Sequence, residues 1–417
     1  MIHSVSPLIL WLLPMVLIEP IEDSAQRAAW IQWRGPERNS EVPESYLPEN
    51  LDLAKIRPLW RVEMGPSYSG PIVAAGKVFT TETVDKTYEV VKAFDLQNGE
   101  EIWRARWEGA MEVPFFARRN GSWIRATPTY DQGRLYVAGM EDMLICLDAT
   151  SGKELWRLDF PAQFQTPRPT FGFVSSPLVD GQHLYVQAGA AFVKLDKSTG
   201  EIIWRTLTDG GGMMGSAFSS PVVGTISGRR QVVVQTRSHL AGVAMESGEV
   251  LWQKEIPSFR GMNILTPMVA NEKVFTSNYR GRSYLFGFSP QGEKELAVNL
   301  LWENKSAAYM SSPVVIDGHV YQHLQNKTFN CIDLETGEEK WRSSERFGDY
   351  WSMVVHDQRI LALDQKGELL LIRADPESFQ LLDRRVLSEQ PTWAHLAVTP
   401  SGLFVRELYA MTAYAWQ

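Results

Sequence analysis

MLICLDATSGKELW, residues Met143 to Trp156, decides the fold of this chain because its last five residues recur. The copies read GEEIW (Gly99–Trp103), GKELW (Gly152–Trp156), GEIIW (Gly200–Trp204), GEVLW (Gly248–Trp252) and GEEKW (Gly337–Trp341). With an irregular copy ending at Trp302, six tryptophans fall on a period of roughly 48 residues, the scale at which one supersecondary unit stacks on the next. In four copies an aspartate stands four residues before the glycine: Asp95, Asp148, Asp196 and Asp333. Aspartate closes a turn through its side chain, and glycine takes the left-handed conformation a short hairpin loop needs. Each unit therefore holds two strands joined by a tight turn.

Two more strands precede this hairpin. The first follows a small, hydroxylated segment ending in proline: SGP (Ser69–Pro71), ATP (Ala126–Pro128), LTP (Leu265–Pro267), and SSP at Ser175–Pro177, Ser219–Pro221 and Ser311–Pro313. The second alternates apolar and polar residues, as in GRLYVAG (Gly133–Gly139) and GHVYQHL (Gly318–Leu324), the period of a half-buried strand. Eight such second strands imply eight four-stranded units. Sheets repeated at this spacing pack radially, so the expected fold is all-β, an eight-bladed β-propeller of antiparallel blades. Proline is tolerated on an innermost strand, and crowding at the axis favours Ser, Thr, Gly and Ala. The terminal Trp of each unit is expected to fill the gap between blades. Residues 392 to 417 supply only three strands, whereas PLWRVEM (Pro58–Met64) is an orphan strand, so an N-terminal strand is expected to close the ring and remove its exposed edges.

Composition narrows the function classes. The chain of 417 residues is 44% hydrophobic with 15 tryptophans, enough for a large core, and its net charge of -8 argues against nucleic acid as a partner. Leu8–Ile18 is an apolar run of signal-peptide length and too short to span a membrane. The expected organisation is a signal peptide over 1–25, a leader segment over 26–55 and the propeller over 56–417, in a periplasmic or secreted monomer without a transmembrane domain. Cys146 and Cys331 occupy the same register in distant repeats and read as buried small residues.

The pattern in Met143–Trp156 resembles the repeat of the pyrroloquinoline quinone (PQQ)-like propeller superfamily, and WIQWRGPERNS (Trp30–Ser40) resembles the leader of secreted planctomycete-type members. That superfamily includes quinone-dependent dehydrogenases, which hold PQQ and calcium on the axis with an adjacent-cysteine disulfide and a stacking tryptophan. It also includes the propeller scaffold of the outer-membrane β-barrel assembly machinery, an interaction platform. This chain has no Cys-Cys pair, and Asn263 and Asp349 are the nearest axial candidates for a cation that needs several oxygen ligands. It also lacks the lipidated cysteine of the scaffold. The resemblance therefore implies a non-catalytic binding or scaffolding module for a protein or glycan, with no cofactor expected; the alternative is a PQQ- and calcium-dependent oxidoreductase.

No hydrolase elbow or metal spacing appears, so no catalytic or metal-ligating residue is assigned. Candidate binding residues are those just before each innermost strand, which should ring the channel mouth: Tyr68, Arg125, Phe173, Phe218, Asn263, Tyr309, Trp351 and Trp393. Aromatic groups with a few polar neighbours are what pockets commonly use. The long loops of the same face add Arg118, Arg119, Arg168 and Arg260, with Arg280 and Arg282 nearby, which together would suit an anionic partner. His395 is the one histidine on an innermost strand.

Overall fold

The computed structural model describes residues 29–42, 47–215, 218–292, 295–400 and 402–416, and leaves out the side chains of Arg119, Asn120 and Met214. The expected signal peptide lies outside the described residues. Eight antiparallel sheets of four strands form the ring. We number the blades in chain order. Their innermost strands are Ile72–Ala74, Thr129–Asp131, Leu178–Asp180, Val222–Ile226, Met268–Ala270, Val314–Ile316, Trp351–His356 and Ala397–Thr399. Each runs from the end we call the mouth face towards the opposite face. Blade 8 takes its outermost strand from the N-terminal segment: Ile56–Glu63 pairs with Ala410–Trp416 in the register Ile56 to Trp416.

The recurring residues do their work between blades. In the turns, Asp148 Oδ1 accepts the backbone N–H groups of Thr150 and Ser151, and Asp95, Asp196 and Asp333 accept the equivalent pairs. The closing Trp reaches the turn of the next blade. Trp103 Nε1 donates to Ala149 O at 3.1 Å, Trp156 to Lys197 O, Trp204 to Met245 O, Trp302 to Leu334 O, and Trp60 of the closing strand to Leu96 O. The indole lies on that turn's glycine: a Cβ on Gly152 would sit 2.5 Å from Trp103, and one on Gly200 2.8 Å from Trp156. Glycine there serves both a positive φ of 72° at Gly152 and a close approach. Trp252 differs because blade 5 has a long hairpin, Ser283–Gln291 and Glu295–Asn304, in place of the short turn; it bonds Gln231 and packs on Phe288 at 4.6 Å.

The hydroxylated segments form a belt around the axis. The N–H of Gly70 donates to Thr127 Oγ1, that of Thr127 to Ser176 Oγ, that of Ser176 to Ser220 Oγ and that of Thr266 to Ser312 Oγ, all at 2.9–3.2 Å. Crowding alone would admit Ala; the belt needs an acceptor, which is why Ser and Thr recur. Cys146 and Cys331 are buried in blades 2 and 6.

Candidate functional site

The axis is filled by the leader. Trp30 pairs with Val73 of blade 1 through two bonds of 2.9 Å, Ile31 O accepts from Tyr130 of blade 2, and Val42 N–H donates to Val355 O of blade 7. Between these contacts the chain climbs towards the mouth, turns through Gly35 and descends. Trp33 Nε1 donates to Thr266 Oγ1 of blade 5 at 2.9 Å, and His395 of blade 8 stacks on Trp30 and meets the edge of Trp33. Arg34 donates to Pro313 O of blade 6, and Arg38 to Ser176 O and Pro177 O of blade 3. A segment that bonds or stacks on blades 1, 2, 3, 5, 6, 7 and 8 occupies the centre of the ring.

Both leader arginines are buried, at 1% and 2% exposure. Their partners are four carbonyls, one hydroxyl and one side-chain amide, with no carboxylate among the described residues. Burial pulls Arg34 down to about 10 and Arg38 to about 9, the latter also through its proximity to Arg34. Proline carbonyls that point into the ring and have no ladder partner on the axial side take the guanidinium protons. Burial likewise holds His395 at about 3, so it is neutral, and its Nδ1 lies 2.8 Å from Leu396 O.

Above Trp33 lies a narrow pocket of about 120 Å3 lined by Trp33, Tyr68, Arg125, Phe218, Tyr350 and Trp393, with Ser176, Ser220, Thr266 and Ser312 at its base. It shares Tyr68, Met310 and Trp393 with a wider basin of about 570 Å3 that adds Phe116, Tyr309, Lys327 and Asp349. Trp393 stacks on Tyr350 and tilts against Tyr68. Arg125 lies over the Tyr68 ring at 5.8 Å and donates to the carbonyls of Gly121 and Trp123; desolvation lowers its pKa. The opposite face carries a larger basin of about 1100 Å3 beside Glu41, Asp317, His356 and Arg359, without the convergent rings of the mouth.

Five of the eight mouth candidates thus come together: Tyr68, Arg125, Phe218 and Trp393 in the narrow pocket and Tyr309 in the basin. Three do not, and this corrects the sequence expectation for them. Trp351 is 1% exposed, stacks on His323 and donates to Asp364. It opens an innermost strand longer than most, so its ring turns into the core. Phe173 is buried against Phe160, and Asn263 is buried with its amide tying Arg237 O and Ile256 O.

The loop arginines are engaged locally. Arg118 pairs with Glu112 and Arg168 with Glu141, each at 2.7 Å, while Arg260 and Arg280 lie over the Phe259 ring. The side chain of Arg119 lies outside the described residues. The sequence reading missed Trp33, Tyr350 and Met310. Two tryptophans and two arginines around a Gly-Pro turn in Trp30–Ser40 were the available signal for the first.

A family model described as outer membrane protein assembly factor BamB matches residues 87–343. Outer membrane protein assembly factor BamB of Moranella endobia is 22% identical over 380 residues, 85% of this chain and 87% of that one. A polyvinylalcohol dehydrogenase of Sphingopyxis is 26% identical over 43% of this chain and 28% of its own. The crystal structure of BamB from Moraxella catarrhalis superposes with a TM-score of 0.63 at 14% identity, covering 87% of this chain and 98% of that one.

Proposed function

We propose that this chain, which belongs to the outer membrane protein assembly factor BamB family, is a non-catalytic binding platform whose mouth face holds a protein partner. The observation that carries this reading is an apolar crown on that face. Phe115 is 81% exposed and Phe116 52% in a single turn before blade 2, and further exposed rings stand around the same face, Phe259 on the loop before blade 5 and Tyr409 in a turn of blade 8. Large exposed aromatic groups rimmed by arginine are the composition of a protein interface. The apolar run Leu8–Ile18 supports a periplasmic or secreted location for this platform, and no helix among the described residues is long and apolar enough to cross a membrane.

The dehydrogenase relative motivates the second reading, a quinone-dependent oxidoreductase, but the residues here do not fit PQQ and calcium. Trp30, Arg34 and Arg38 fill the axis, and no group of three or more His, Cys, Asp or Glu side chains among the described residues could hold a metal ion. The narrow pocket left above Trp33 is lined by no carboxylate that could ligate calcium.

The platform is tested by comparing retention of envelope proteins on the immobilised protein and on a Phe115→Ser, Phe116→Ser, Phe259→Ser variant. Loss of retained protein at an unchanged melting temperature is expected. Equal retention would place the contact surface elsewhere, and retention of glycans alone would replace the protein partner with a carbohydrate one.

A further inference from the structure

The narrow axial pocket offers hydrogen-bond donors and no acidic group. Ser176, Ser220 and Ser312 each spend an oxygen lone pair on a backbone N–H of the belt, and among the described residues none of their hydroxyl hydrogens has an acceptor. Arg125 binds carbonyls through Nε and one terminal nitrogen, leaving Nη1 without a partner among the described residues. No Asp or Glu lines the pocket, although the protein carries a net charge of -8. Beneath it lie Arg34 and Arg38, two further guanidinium groups without a carboxylate. Donors converging from four sides, with no carboxylate among the lining residues to neutralise an incoming cation, favour an anion over a lysine, whose charge would meet that of Arg125.

We propose that this pocket is the anchor point of the mouth face and takes the side-chain carboxylate of one Asp or Glu carried on an extended segment of the protein partner. The inference rests on the platform reading and adds the chemistry of the contact. Size argues for a side chain: about 120 Å3 admits a carboxylate and its methylenes, and the adjoining basin of about 570 Å3 accepts the flanking residues. In that basin the charges are already balanced, Lys327 pairing with Asp349 at 2.8 Å, so specificity for charge resides in the narrow part.

The test is titration of the full-length protein with two capped peptides, acetyl-Gly-Glu-Gly-amide and its glutamine counterpart, followed by tryptophan fluorescence because Trp33 and Trp393 line the pocket. The glutamate peptide is expected to bind at least about tenfold more tightly, the difference of one charge-assisted hydrogen bond. Arg125→Gln should erase that preference and Arg125→Lys retain part of it. Equal binding of both peptides, preference for a lysine peptide, or no binding of any would overturn the anchor. Should Arg125→Gln fail to fold, the comparison of peptides on the unaltered protein still decides. If the peptides do not discriminate while the crown substitutions still abolish partner retention, the anchor falls and the platform stands.

Discussion

The perimeter of this molecule and its axis are built on opposite principles. Around the rim, one device repeats: an aspartate-closed turn, a glycine, and the indole of the preceding blade lying on it. At the axis the belt repeats but the segment that fills it does not. A single segment, Trp30 to Val42, meets the blades through backbone at Trp30, Ile31 and Val42, an indole at Trp33 and guanidinium groups at Arg34 and Arg38, at no fixed spacing. The rim shows how periodic sequence makes periodic contacts, each replaceable by its neighbours' example. The axis shows that a ring of such contacts leaves a hole whose inward carbonyls and hydroxyls must still find partners.

The contrast can be broken most directly at the centre. Trp30→Ala should cost about 3–5 kcal/mol, because the indole is buried in the core and stacks on His395 of blade 8. Chemical denaturation measures this; a loss below about 1 kcal/mol would mean the leader only lines a ring that stands without it. At the rim, Gly152 and Gly133 both hold positive φ, but only Gly152 lies under a tryptophan. Gly133→Ala should therefore cost about 1–2 kcal/mol for backbone strain. Gly152→Ala should cost a further 1–3, about the penalty of overpacking against Trp103. Equal losses at the two positions would remove the inter-blade stacking from the account.

Protonation sharpens the comparison further. Burial raises Glu89, which accepts from Trp107 and Met140 of the next blade, to about 8, and raises Asp142, which accepts from Gly189, to about 7. Their folded values exceed the unfolded ones, so their contribution is complete below the ordinary carboxylate range and is lost as pH rises through about 8 and about 7. His323 and His395, both lowered to about 3 by burial, act in the other direction and lose stability as pH falls from the ordinary histidine range. Melting curves should show a maximum between these limbs. Combining Glu89→Gln with Asp142→Asn should flatten only the alkaline limb, by a few degrees. Smallest of all, Trp393→Ala at the half-exposed pocket wall should change stability by about 1 kcal/mol or less.

Legibility follows the same division. The turn aspartates, the glycine and tryptophan copies, the proline segments and the orphan strand at Pro58 to Met64 place every blade, because each is a local pattern with a local cause. The route of Trp30–Ser40 is not legible, since its partners lie as far away as Pro313 and no periodicity records them. The mouth candidates fall between. Position before an innermost strand finds the right loop, but a shift of one residue turns a side chain to the other face, and that is how Trp351 enters the core while Trp393 lines the pocket.

The closure of blade 8 also sets a timetable. Ile56 pairs with Trp416, and the leader ahead of it needs the strands of blades 5 to 8 before Thr266, Pro313, Val355 and His395 exist to receive it. As the chain emerges, Ile56–Glu63 must wait for Ala410–Trp416. Until the final strand arrives, seven blades stand as an open arc with unpaired strand edges and an empty centre, the state in which such a chain is most prone to aggregate. Synthesis of Ala410–Trp416 and acquisition of the native ring are therefore one late event, and a chain truncated before that strand loses its rim closure and, with it, the partner of Ile56–Glu63.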